Sequence, residues 1–264
     1  MLCARGHSFD VARSGYCNLL QPQDRRSLKP GDSRAAVEAR RRFVDSGHAT
    51  ALGSDLIEII KGCQPSVTTA LEVGCGEGFH LQVLRDAFGC DAHGIDLSVA
   101  ATDLAARRYA ECTWIVANVD HMIPYADESF SIVASITGPR PAAEMSRVLR
   151  PDGLLVVAVP APDDLVELRE LVLGTSIPRD RTTSVEEQLR GHFVVEAQAR
   201  IARRELLSPA LLRDLLASTY RGARKSQQGG LSTLEPMEVT MSRDVILLRK
   251  VGASSLASSL ASSF

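Results

Sequence analysis

The 264-residue chain is predicted to be an α/β protein built on a parallel sheet with helices on both faces. Three observations predict this. Short apolar runs alternate with helical patterns from Thr69 onward, and the first run ends in a turn with glycines at alternate positions, Gly74, Gly76 and Gly78. A second run closes on an acid, Asp96, about twenty residues further on, the spacing of a nucleotide-binding βαβ unit.

The stretch Ala70-Leu71-Glu72-Val73-Gly74-Cys75-Gly76-Glu77-Gly78-Phe79-His80 is the first strand, turn and helix start of that unit. A missing Cβ lets backbone approach a ligand, so the glycines predict a cradle for a small cofactor. Asp96, followed by Leu97, falls where a carboxylate accepts hydrogen bonds from a ribose diol. A dinucleotide fold spaces its glycines G-x-G-x-x-G to seat a pyrophosphate, which leaves a nicotinamide dinucleotide as the second choice. Here Glu72 precedes G-x-G-x-G, which resembles motif I of the class I S-adenosylmethionine (SAM) methyltransferases. That resemblance implies SAM as cofactor, with Glu72 near its cationic methionine end and His80 lining the same pocket.

The elements are expected in this order. Residues 1–32 lack periodicity and read as a loop-rich appendage; Ser33 caps a helix to about Asp45, with Val37 and Phe43 inside and Arg40, Arg41 and Arg42 mostly exposed. Ser54 starts a helix from Asp55 to Lys61 that Gly62 closes. Strands follow at 69–73, 91–95, 112–117, 129–136 and 153–159, with helices at 78–87, 98–108, 140–149 and 163–173. Two last strands, Phe193 to Ile201 and Val239 to Leu248, flank a helix opened by Ser208-Pro209 and complete a seven-stranded sheet with one antiparallel member. Residues 33–250 thus form the main domain, and the Ser/Leu/Ala repeat of 251–264 is expected to be disordered.

The net charge of −2 is unevenly spread: residues 1–45 carry +4 and residues 199–225 carry +5, leaving −11 elsewhere. A basic face made from these two segments suits nucleic acid, and a pair of solvated helical faces is the plainer alternative. The six cysteines are scattered, and no signal peptide or long apolar run is present, so a cytoplasmic protein without a membrane span is expected.

The N-terminal string Cys3-Ala4-Arg5-Gly6-His7-Ser8-Phe9-Asp10-Val11-Ala12-Arg13-Ser14-Gly15-Tyr16-Cys17-Asn18-Leu19-Leu20 resembles the start of the bacterial 23S rRNA guanine-N1-methyltransferases that act on helix 35. So do Pro30-Gly31-Asp32-Ser33, Ala39-Arg40-Arg41-Arg42-Phe43, Arg147-Val148-Leu149-Arg150-Pro151-Asp152-Gly153 and Asp164-Leu165-Val166-Glu167-Leu168. The resemblance implies methyl transfer to a guanine of 23S rRNA, and it leaves a homodimer open. The family carries a Cys-x2-Cys pair followed by Cys-x3-His for zinc, of which only Cys3 and His7 survive; Cys17 could be a third ligand, no fourth is near, and no metal is expected.

Other departures fall on the target side. The loop after the fourth main-domain strand reads Ile136-Thr137-Gly138-Pro139-Arg140, Asp164 replaces a His, Ala49 replaces a Tyr after His48, and Ser218-Thr219-Tyr220-Arg221-Gly222-Ala223 replaces a Trp-containing motif. Asn118 and Val119 lie where the superfamily contacts adenine. No catalytic residue is assigned; Asp120, His121 and Asp164 are candidates for accepting the guanine N1 proton, with an adenine-pocket wall or a solvated loop as the plainer roles. Tyr16, Tyr125 and Tyr220 are the available base stackers. The rival functions are a SAM-dependent enzyme with a small-molecule target and a SAM- or RNA-binding protein without catalysis.

Overall fold

The computed structural model describes residues 8–20, 31–174, 178–218 and 234–251. Its eight strands are β1 (Cys17–Asn18), β2 (Thr69–Val73), β3 (Asp91–Asp96), β4 (Thr113–Val116), β5 (Phe130–Ile136), β6 (Leu149–Pro160), β7 (Phe193–Leu207) and β8 (Met237–Lys250). They form one sheet in the order β1-β4-β3-β2-β5-β6-β8-β7, parallel except for β8, which runs antiparallel to both β6 and β7. The eighth strand was not expected. Cys17 and Asn18, placed by the sequence in a separate appendage, pair with Ile115 and Val116 and extend the sheet edge.

The helices are α1 (Arg34–Asp45), α2 (Thr50–Cys63), α3 (Phe79–Phe88), α4 (Val99–Arg108), α5 (Ala142–Val148), α6 (Val166–Leu173), α7 (Thr182–Leu189) and α8 (Pro209–Ala217). The side chains of Ser33, Ser98 and Ser208 accept the N–H groups of Ala36, Ala101 and Leu211, three N-caps each worth about 1 kcal/mol. Helix α2 corrects an expectation: it begins at Thr50, so Ser54 lies inside it and donates to the Thr50 carbonyl, and Gly62 sits within the last turn. Helix α7 had no sequence forecast, because eight polar-rich residues bury only Val185 and Leu189.

Side chains alternate across each strand, so the sheet buries two layers. Ala70, Trp114, Ile132 and Val156 meet α2, α3 and α4, through Ile60, Leu81 and Ala105; Leu71, Ile95, Val133 and Val157 meet α5 and α7, through Met145 and Leu189. A third cluster joins Phe43 of α1, Leu168 of α6, Leu212 and Leu215 of α8 and Met241 of β8. The strand order reverses between β2 and β5, so the loops leaving those two strands face each other across a crevice where α/β sheets bind ligands.

Candidate functional site: the crevice beside the glycine turn

Gly74, Gly76 and Gly78 all have positive φ, at +76°, +55° and +87°. Their surroundings differ. A Cβ on Gly74 would stand 2.6 Å from Pro139 Cδ, so this glycine lets the loop after β5 close down on the turn. A Cβ on Gly78 would overlap the Trp114 indole, so the third glycine serves packing beneath the turn. Over Gly76, the described atom within 4 Å of such a Cβ is Arg40 Nη1, at 3.2 Å. The second glycine is the least covered of the three.

Asp96, at the end of β3, is turned toward the glycine turn: Oδ2 accepts the Gly76 N–H at 2.9 Å and Oδ1 the Ser98 N–H at 2.7 Å. Burial raises its pKa, and these two N–H groups oppose the rise. The adjoining crevice, about 210 Å³, is lined by Gly74, Ile95, Asp96, Leu97, Ala117, Asn118, Val119, Asp120 and Pro139. It has mostly apolar walls with one carboxylate at the turn. A second concavity of about 250 Å³, between β7, β8 and α7, holds none of the expected residues, and its Arg200 and Asp244 neutralise each other at 2.7 Å.

Glu72 is 1% exposed and lies on β2, two residues before Gly74. The Leu81 N–H bonds to its carboxyl, but Oε2 has no hydrogen-bond partner among the described residues. Burial, reinforced by Glu77, holds it well above the usual carboxylate range. His80 Nδ1 stands 3.7 Å from Glu72 Oε1, and burial with the nearby Arg243 and Arg40 charges lowers the imidazole pKa to about 4. In both groups burial works against the charged form.

Arg40 is the residue that sequence reading misplaced. Its guanidinium pairs with Asp32 at 2.7 Å, lies 3.6 Å from Glu77 Oε2 and donates to the Ser218 carbonyl at 3.2 Å. Helical spacing held the signal: Arg40 is three residues from both buried Val37 and buried Phe43, hence on the inner face of α1. The expected basic face is correspondingly reduced, because Arg41 pairs with Asp45 and Arg42 is bidentate on Asp214.

The proton-acceptor candidates separate. Asp120 lines the crevice; His121 lies exposed in the same loop; Asp164 pairs with Arg243 at 2.5 Å and accepts the Ser242 N–H. Two stackers are committed elsewhere: Tyr125 bonds His93 and packs edge-on to Phe130, and Tyr16 packs against the core. Tyr220, Cys3 and His7 lie outside the described residues. Cys17 is buried in β1 with its thiol pKa raised by that burial; among the described residues no group of three or more His, Cys, Asp or Glu could hold a metal.

The loop that packs on the turn has an uncommon conformation. Thr137 has φ +58°, its N–H bonded to the Ala158 carbonyl, and Gly138 packs on the Val73 carbonyl. Arg140 then donates to the Gly138 carbonyl and to Gln188 Oε1, and burial lowers its pKa. No carboxylate pairs with it among the described residues.

A parallel sheet with β8 inserted antiparallel, a glycine turn after the central strand and an acid closing the next strand define a class I SAM-dependent methyltransferase. Residues 70–153 match the family model described as a methyltransferase domain, and residues 1–28 match the one described as RlmA, N-terminal. The chain is 34% identical over 204 residues to the 23S rRNA (guanine(748)-N(1))-methyltransferase of Streptomyces fradiae, covering 75% of this chain and 71% of that one. It is 31% identical over 263 residues to the Bacillus subtilis (strain 168) protein named "Putative 23S rRNA (guanine-N(1)-)-methyltransferase YxjB", covering 94% and 90%. The chain belongs to the 23S rRNA guanine-N1-methyltransferase family. A solved structure concerned with converting a disulfide bond into a thioacetal group during echinomycin biosynthesis shares the fold, with TM-score 0.53, 14% identity and coverage of 78% of this chain and 85% of that one. No helix among the described residues is long and apolar enough to cross a membrane.

Proposed function

We propose that this chain transfers the methyl group of SAM to N1 of a guanine in the helix 35 region of 23S rRNA, as a cytoplasmic enzyme. The carrying observation is the unpartnered, buried Glu72 Oε2 on the strand that leads into the glycine turn, a match for a ligand with a cationic end. The Streptomyces and Bacillus relatives, by their names, support the RNA target.

In this reading Asp96 takes the ribose diol, and Leu97, Asn118 and Val119, with Ile95 and Pro139, enclose the adenine. Gly74 and Gly76 offer backbone to the methionine end, Gly78 keeps α3 seated beneath it, and neutral His80 lines its far side. The bound cofactor supplies an electrophilic methyl group on a sulfonium, so the chain's own work is alignment, water exclusion and proton handling. Guanine N1 must lose a proton, and the exposed Asp120 carboxylate at the crevice rim is the candidate acceptor. Residues 1–32 would belong to target recognition.

The commitment of Tyr16 and Tyr125 to the core favours a second reading, a small-molecule target that needs no base-stacking platform. Radiolabelled SAM offered to unmethylated 23S rRNA, alongside small-molecule extracts, separates the two. An N1-methylguanine blocks Watson–Crick pairing, so label in RNA with a reverse-transcription stop in helix 35 supports the first; label confined to the extract overturns it.

A further inference from the structure

Arg40 occupies a place that neither ordinary packing nor surface solvation accounts for. It extends from α1 onto the glycine turn, into a ring of carboxylates formed by Asp32, Glu77 and Asp96. The two ends of its guanidinium are held unequally: Nη2 serves Asp32 at 2.7 Å and the Ser218 carbonyl at 3.2 Å, while Nη1 has the longer Glu77 ion pair at 3.6 Å and lies over Gly76. The more loosely held end of a guanidinium therefore stands over the second glycine of the turn.

The cofactor's amino-acid end carries an ammonium and a carboxylate. Glu72 offers an unpartnered oxygen to the first, yet the second would enter a turn surrounded by Glu72, Glu77 and Asp96. A carboxylate placed there needs a cation, and a guanidinium binds one with strong charge-assisted hydrogen bonds. The other guanidinium that acts on this pocket, Arg243, is already paired with Asp164. We propose that Arg40 binds the α-carboxylate of SAM through Nη1, making α1 part of the cofactor site. The proposal rests on the reading that the glycine turn holds SAM.

It has a structural corollary. Asp32 leads out of the N-terminal segment, its carbonyl accepts the Ser98 hydroxyl, and Ser218 ends α8, so one side chain joins both flanking segments to the turn. Cofactor binding thereby engages the residue that positions them.

The test compares SAM with decarboxylated SAM, which keeps the sulfonium and ammonium but lacks the carboxylate, by calorimetry on the full chain. Wild type should bind SAM more tightly. Arg40→Ala should weaken SAM by about ten- to a hundredfold, leave decarboxylated SAM within about twofold, and so erase the preference; Arg40→Lys should restore part of it. Equal losses for both ligands would make Arg40 a mere support of the turn and overturn the proposal, as would an unchanged SAM affinity. Wild type binding neither ligand would defeat the cofactor reading itself, a result distinct from either of these.

Discussion

Trp114 fills the space that a side chain at position 78 would need: a Cβ on Gly78 would overlap its indole and stand 3.1 Å from Ala105 Cβ. The ring cannot retreat, because it is 2% exposed and its Nε1 donates to the Tyr109 carbonyl at 2.8 Å. Gly78→Ala adds both overpacking and a strained positive φ, so it should cost about 1–3 kcal/mol of stability. Trp114 is the chain's one tryptophan, and thermal unfolding followed by its emission reads this directly. A variant that melts with wild type would remove the packing role.

Asp96 has a double duty that an alanine exposes. The carboxylate orients the Gly76 and Ser98 N–H groups before any ligand arrives, and hydrogen bonds to a charged group contribute about 1.5–3 kcal/mol. Asp96→Ala should therefore lower the melting temperature and weaken S-adenosylhomocysteine binding at least about tenfold. Unchanged affinity in calorimetry would take Asp96 out of the cofactor site.

Glu72 predicts a pH effect. Its folded pKa lies well above the ordinary value, so the folded chain holds a proton that the unfolded chain has released. Stability is thus greatest below the ordinary carboxylate pKa and declines as pH rises toward the folded one. A cationic ligand end favours the ionised form, so binding should release a proton and S-adenosylhomocysteine affinity should rise with pH through this range. Calorimetry in buffers of different ionisation enthalpy measures the release, and Glu72→Gln should abolish it. Proton release persisting in Glu72→Gln would assign it elsewhere.

Much of this site was legible because its signals are local. Glycines at alternate positions, an acid ending the next strand and serine caps before helices each depend on a few neighbouring residues, and Gly76, Asp96, Ser33 and Ser208 lie where the pattern puts them. What escaped depends on partners distant in sequence. Arg40 is indistinguishable from Arg41 and Arg42 by composition, and only the approach of α1 to the turn sets it apart. Tyr125 offered a free ring until His93 and Phe130 enclosed it, and the two-residue β1 has no periodicity to detect. Gly78 was read as part of the cofactor cradle, whereas it makes room for Trp114, which comes from another strand.

The last prediction concerns the RNA grip, where the structure redistributes the charge that the sequence suggested. Arg41 pairs with Asp45, which it shares with Arg108, and Arg42 with the mostly buried Asp214. A guanidinium already paired with a carboxylate releases few counterions on meeting a phosphate. Replacing both by Ala should leave the salt dependence of binding to a 23S rRNA fragment nearly unchanged. Arg140 differs: it stands beside Pro139 at the crevice, and its acceptors, the Gly138 carbonyl and Gln188 Oε1, are neutral. Arg140→Ala should weaken RNA binding, make the log–log salt slope shallower by about one, and spare S-adenosylhomocysteine affinity. Filter binding across a range of ionic strengths distinguishes the two. A slope flattened by the Arg41/Arg42 pair and untouched by Arg140 would return the RNA grip to α1.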